Sequence, residues 1–273
     1  MKRKGHSMKI AILTSVTSAN IYLVNSLTSR YKVVAKVIER RSRPSTMKEK
    51  MAVRSRLIQR YGLLKTLNKL LYNKYRSWMV ELHQSETLKQ ELFPGKAEVA
   101  YTHEVPTLEV ENINDSSCVD FLSGYAPDII AVCGTTVIKA QVFKLAKKGT
   151  INIHSGIIPE YRSADPIFWA LYNGEPDKVG VTIHYVDEGI DTGPIIHQKS
   201  VGVTKEDDLA TLYAKCMRTG AELMSQAIED IAGGTVKTYR KEGVEGRAHF
   251  HMDLGIWEYM VFQRRFKKLK SSL

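Results

Sequence analysis

TINIHSGIIPEYRSADPIFWALYNGEPDKVGVTIHYVDEGIDTGPIIHQ, residues 150–198, is the stretch whose reading decides the fold. It opens as an apolar strand over 149–154. Residues two apart on a strand share a face, so Asn152 and His154 are expected to emerge side by side. A proline-bearing turn at 157–162 leads into a helical run over 166–172, which Asn173-Gly174 stops. A β-branched strand over 179–186 follows. It ends in Asp187-Glu188-Gly189-Ile190-Asp191-Thr192-Gly193-Pro194, a tight loop holding three carboxylates. An amide, an imidazole and a carboxylate at the ends of neighbouring strands can stabilise an oxyanion and move protons. Each residue alone reads equally well as a turn-closing Asn, a satisfied strand histidine or a solvated loop acid. Their joint spacing favours chemistry.

Working outward, 273 residues suit one domain of about 200 residues plus an appendage. An apolar content of 43% can fill a core, and no run approaches the ~18 apolar residues of a membrane span. The basic start MKRKGHS lacks a signal-peptide core; it reads as a disordered leader, with Met8 as the functional start. Cys118, Cys133 and Cys216 show neither disulfide nor zinc spacing, which fits a reducing cytoplasm. The segment 40–76 carries 12 Lys/Arg against the single acid Glu49, and so accounts for the whole formal net charge of +11.

A buried strand at 9–13, a helix at 21–29 and a strand at 32–39 make a βαβ opening. Its turn, Thr14 to Asn20, has no glycine, and without the Gly-x-Gly-x-x-Gly turn a nicotinamide oxidoreductase is disfavoured. Residues 40–94 read as a basic helical insertion, amphipathic through Leu57, Tyr61, Leu64, Leu67 and Leu71 and interrupted near Gly62. The bland use of that pattern is a helix packed on its own domain; an RNA backbone or acidic lipid are the sharper ones. AEVAY at 97–101 reads as a strand, 112–124 as a helix, 129–133 as a strand and 139–147 as a helix. A long helix over 205–231 carries one apolar stripe, ended by Gly233-Gly234. His249, His251 and Asp253 are too weak a set for a metal site, and none is expected.

Asn152-Ile153-His154, Ile157-Ile158-Pro159 and Asp191-Thr192-Gly193-Pro194 together resemble the formyltransferases that use 10-formyltetrahydrofolate, which include glycinamide ribonucleotide, methionyl-tRNA and sugar-nucleotide enzymes. The likeness is good over 127–203, weak at the first strand and poor elsewhere. It implies an α/β, Rossmann-like formyltransferase fold: a mostly parallel twisted sheet flanked by helices, with the basic helical insertion and a short helical C-terminal tail. With the length and the helical periodicity of the tail, the expected division is a catalytic domain at 8–204 and a C-terminal helical extension at 205–273 packing on it. The resemblance implies that Asn152, His154 and Asp191 are catalytic, with Asn152 and His154 facing the formyl oxygen. The folate pocket would take Gly134, Val137, Ile138, Asp187, Gly189 and Ile190, and the acceptor side Tyr161, Arg162 and Ser163. The co-substrate is then 10-formyltetrahydrofolate, and no metal is called for.

The resemblance also implies a primary amine as acceptor. Gly156 stands where these relatives usually carry Ser, and Ser163 where they carry Gly, so an unusual amine is expected. The residues after Thr204 read as helix plus basic tail, unlike the β-rich C-terminal domain of the tRNA enzymes. The preferred reading is an N-formyltransferase acting on a nucleotide-linked amino sugar. A methionyl-tRNA-like acceptor, or a non-catalytic folate- or RNA-binding module of the same fold, are the alternatives. The expected partner is a small amine, with nucleic acid less favoured and homodimerisation left open.

Overall fold

A computed structural model describes residues 8–40, 44 and 46–273, apart from the side chains of 79, 81 and 82. The start MKRKGHS lies outside the described residues. The chain opens β1 (Ile10–Ser15), α1 (Ser18–Thr28) and β2 (Val33–Glu39). The insertion follows as α2 (Met47–Tyr61), α3 (Leu63–Tyr75), a π-helical turn (Arg76–Val80) and α4 (Glu81–Leu92). Next come β3 (Thr107–Val110), α5 (Ser116–Tyr125), β4 (Ile129–Cys133) and the one-turn α6 (Ala140–Phe143). The central stretch is β5 (Thr150–His154), β6 (Tyr161–Ser163), α7 (Pro166–Tyr172), β7 (Gly180–Tyr185) and β8 (Ile195–Ser200). The chain closes with α8 (Leu209–Gly233), β9 (Arg247–His249) and α9 (Ile256–Lys270).

Seven strands form one sheet in the order β3-β2-β1-β4-β5-β7-β8. The pairings from β3 through β5 are parallel, whereas the β5–β7 and β7–β8 pairings are antiparallel. The inner strands IAILTS and IIAVC are buried almost throughout, as strands covered on both faces require. One core layer is filled by α1, α7, α8 and α9, the other by α5 and α6. Leu212, Met217, Met224 and Ile228 of α8 share a core cluster with Ile12 and Ile153 of the sheet. The boundary near Thr204 therefore marks a change of layer, with no separate core beyond it among the described residues.

Caps explain where the helices begin. Thr17 accepts the Asn20 N–H, Thr46 and Glu49 form a capping box, and Asp208 accepts from Ala210 and Thr211. Gly62, at φ 83°, ends α2 and starts α3, which is the interruption expected there. The expected strand at 97–101 is not formed. The side chain of Asn25 instead ties down the Ala100 carbonyl and the Thr102 N–H, at 2.9 and 3.0 Å. The sheet edge is TLEV, which starts once the Pro106 carbonyl has accepted the Lys36 N–H. The tail is not wholly helical either, since β9 pairs in parallel with β6. Among the described residues, no helix is long and apolar enough to cross a membrane.

Candidate active site

Strand period and register bring the chemistry together. Antiparallel pairing sets Asn152 opposite His184 and His154 opposite Thr182. Directly opposed residues share a face, so an amide and two imidazoles gather at one end of the β5–β7 pair. Asp191 reaches them from the loop that follows β7. Its own φ is 51°, a strained value for a non-glycine residue of the kind found at functional loops. The loop is held by Thr192 Oγ1 and Gly189 N–H donating to Asp187 Oδ1, at 2.6 and 3.1 Å. Arg240 braces it from outside, on Asp187 and on the Thr192 carbonyl. A side chain at Gly193 would put its Cβ 1.7 Å from the Tyr185 carbonyl oxygen, so only glycine fits that bend.

The Asp191 carboxylate is the hub. Oδ2 accepts the Ser163 N–H at 2.9 Å and lies 3.5 Å from His154 Nδ1. Oδ1 accepts from Asn152 Nδ2 at 3.4 Å and lies 3.4 Å from His184 Nε2. Burial alone would raise the carboxyl's pKa. The imidazoles of His154 and His184, which are cationic when protonated, the His184 hydrogen bond and the Ser163 N–H outweigh that and hold it well below the usual carboxylate range. Asp191 is therefore a carboxylate throughout the physiological pH range.

The ring nitrogens are fixed by carbonyls. His154 Nε2 donates to the Tyr161 carbonyl at 2.9 Å, which turns Nδ1 towards Asp191. His184 Nδ1 donates to the Tyr185 carbonyl at 2.8 Å, placing Nε2 between Asn152 Nδ2 at 3.2 Å and Asp191 Oδ1 at 3.4 Å. His154 can sit this way because residue 156 is glycine: a Cβ there would lie 2.6 Å from His154 Nε2 and 2.9 Å from the Tyr161 carbonyl oxygen. Ser163 adopts φ 70°, a left-handed conformation that favours glycine, and donates its N–H to Asp191 from that position.

Asn152, His154, His184 and Asp191 open onto a cavity of about 680 Å³. Gly134, Val137, Ile138, Asp187, Gly189 and Ile190 all line it, as does Ser163. Gly134, at φ 75°, leaves no room for a side chain, since a Cβ would meet Asn20 at 2.9 Å. Tyr161 is not on the cavity wall. It is fully buried, its hydroxyl shared among Glu175, Asn173 and Arg247. Burial first, then the Glu175 hydrogen bond, pushes its phenol up to about 12, and it cannot stack on an acceptor. Arg162 lies behind the wall, its Nη1 3.5 Å from the Ile190 carbonyl.

Three contributors escaped the sequence reading. His184 lay in a recognised strand, but only the antiparallel register reveals that it faces Asn152. Phe250 and His251 reach the cavity from the tail just after β9, a three-residue strand too short to show a pattern. Nearby, His249 stacks on Trp169 with centroids 4.2 Å apart, and Asp253 accepts the Phe250 N–H and pairs with Lys65, both at 2.7 Å. Among the described residues, no group of three or more His, Cys, Asp or Glu could hold a metal.

Residues 8–228 match the family described as Formyl transferase. A methionyl-tRNA formyltransferase of Pelotomaculum thermopropionicum is 32% identical over 161 residues, covering 59% of this chain and 51% of that protein. One from Thermodesulfovibrio yellowstonii is 35% identical over 144 residues, with 52% and 46% coverage. The chain thus spans about half the length of the curated relatives it matches. Among solved structures, glycinamide ribonucleotide transformylase 1 from Symbiobacterium toebii superposes with a TM-score of 0.57 at 18% identity, over 91% of this chain and 95% of that one. Here the likeness is one of fold.

Proposed function

The chain belongs to the formyl transferase family, and on that premise we propose that it transfers the formyl group of 10-formyltetrahydrofolate to a primary amine, carried by a nucleotide-linked amino sugar. The observation that supports this most is the Asp191 hub, with two imidazoles and an amide converging on one carboxylate inside a cavity of about 680 Å³. The cradle fits a flat, hydrogen-bonding ring. Gly134 gives a bare backbone edge, Val137 and Ile138 give apolar wall, and Gly189 and Ile190 close the opposite side.

When bound, the folate supplies an activated formyl group on nitrogen. The residues of this chain do the rest. Asn152 offers the formyl oxygen the amide hydrogen that now makes its longest bond, at 3.4 Å to Asp191; one such donor contributes about 3 kcal/mol to an oxyanion-like transition state. His154, its Nε2 proton committed to the Tyr161 carbonyl, keeps a lone pair on Nδ1. That nitrogen takes the proton of the attacking amine as the new C–N bond forms and gives it to the departing nitrogen as the old C–N bond breaks, and Asp191 at 3.5 Å stabilises the imidazolium in between. His184 orients Asn152 and Asp191 from the other side. Ser163, with Arg162 bracing the Ile190 carbonyl, shapes the acceptor side.

For the acceptor, the support is Phe250. It is half-exposed on the cavity wall beside His251, and a bare aromatic face suits a nucleobase. The curated relatives favour a second reading, an aminoacyl-tRNA acceptor. Incubation with 10-formyltetrahydrofolate and either nucleotide amino sugars or methionyl-tRNA separates the two. A formyl mass gain on a nucleotide amino sugar supports the proposal; formylation of methionyl-tRNA alone would overturn it.

A further inference from the structure

The basic insertion presents a surface that the cavity does not use. α2 buries none of its residues on the rest of the protein, although an amphipathic helix of this length depends on packing for most of its stability. Met47, Met51 and Ile58 are exposed along it. α3 has two apolar faces. Thr66 and Tyr72 turn inward, Tyr72 against Tyr259 of α9 with ring centroids 5.6 Å apart, and Asn68 bonds Glu258 at 2.9 Å. Leu64, Leu67 and Leu71, at steps of three and four, face outward at 82, 49 and 47% exposure. Trp78 continues that row at 82%, and Trp257, at the start of α9, is 70% exposed. Between these side chains stand Lys48, Lys50, Arg54, Arg56 and Lys74, all exposed and with no ion pair among the described residues.

We propose that α2 and α3, with Trp78 and Trp257, form a docking face for the surface of an anionic lipid bilayer. An exposed apolar stripe of this extent marks a protein or membrane contact. The positive charge selects the occupant. A second copy of this chain would bring the same cations face to face, and a polynucleotide would reward the cations but not the leucines and tryptophans. A bilayer interface takes both, apolar side chains among the upper acyl chains and Lys/Arg among acidic headgroups. The opposite, inward side of α3 is riveted to the segment that follows the cavity wall. Lys65 pairs with Asp253 and Lys69 donates to the Leu254 carbonyl, just after Phe250 and His251. The proposal does not rest on the formyl-transfer reading.

The test is co-sedimentation of the full chain with phosphatidylcholine vesicles with and without phosphatidylglycerol, in low and high salt. Wild type is expected to bind only the anionic vesicles, less so in high salt, with a blue shift of tryptophan emission. Leu64→Glu with Leu67→Glu should weaken that binding at least tenfold. Lys50→Gln, Arg54→Gln and Arg56→Gln together should weaken it roughly a hundredfold, at about fivefold per cation. Both variants alter only exposed side chains and should keep the wild-type melting temperature. Failure of wild type to bind anionic vesicles would overturn the proposal. So would equal binding by the leucine variant, or binding of poly(U) that the leucine changes leave untouched while vesicles are ignored.

Discussion

Replacing Gly156 by Ser asks whether His154 depends on a missing side chain. The new Cβ would lie 2.6 Å from both His154 Nε2 and Pro166 Cβ, and 2.9 Å from the Tyr161 carbonyl oxygen. Ordinary contacts begin near 3.4 Å, so each neighbour must yield by roughly half to four-fifths of an ångström. Pro166 starts α7 and the Tyr161 carbonyl belongs to β6, which leaves the imidazole as the mobile party. A shift of about 0.8 Å stretches its 2.9 Å bond to the Tyr161 carbonyl beyond hydrogen-bond range. A lost buried hydrogen bond costs about 1–3 kcal/mol and overpacking a similar amount, about 3 kcal/mol together allowing for relaxation. For a chain of this size that is a drop of about 6–12 °C in melting temperature. Turnover should fall at least tenfold, because the proton on Nε2 is no longer fixed and Nδ1 is no longer aimed at Asp191. Differential scanning calorimetry reads the first effect, and 15N spectra of the histidine rings read the second. A variant melting within about 2 °C of wild type, with His154 still protonated on Nε2, would refute the reasoning.

Other outcomes follow from the same geometry. His184→Gln keeps a polar group near Asn152 but removes a charge partner of Asp191, and should lower turnover about 10- to 100-fold with folate affinity nearly unchanged, by steady-state kinetics. In Asp191, Asp207 and Asp253, burial pushes the pKa upward but is outweighed, by His154 and His184, by Lys215 and by Lys65 respectively, so all three are depressed on folding. Their stabilisation is present in full above the unfolded value near pH 4 and lost as pH falls through the folded values. Urea midpoints should therefore drop steeply below about pH 4, and less steeply in Asp191→Asn. Cys118, Cys133 and Cys216 are buried, and burial pushes their thiols up to about 11, 12 and 12. A thiol reagent at neutral pH should label none of them until urea unfolds the chain; rapid labelling of the native protein would contradict their placement.

The central stretch was readable because its signals are local. Period two set Asn152 beside His154, glycine and proline marked the Asp191 loop, and Gly62 broke the insertion where its φ of 83° demands. What escaped depends on partners far along the chain. AEVAY has strand composition, but Asn25 takes its backbone groups, and the edge strand is the less apolar TLEV beyond Pro106. Tyr161 sits in the turn expected to face the acceptor, yet Glu175, Asn173 and Arg247 hold its hydroxyl away from the cavity. His184 and Phe250 enter the cavity through an antiparallel register and a parallel three-residue pairing, neither of which leaves a periodic trace.

If the Asp191 carboxylate organises transfer to an amine, single-turnover transfer of a 13C-labelled formyl group shows it most directly. Wild-type protein should move the label from the folate to an amine as a formamide signal. Asp191→Asn, which keeps one oxygen for the Ser163 N–H, should do so about a thousandfold more slowly, near 4 kcal/mol of lost transition-state stabilisation. Equal rates in the two proteins, or bound folate with no formamide from any amine, would contradict it.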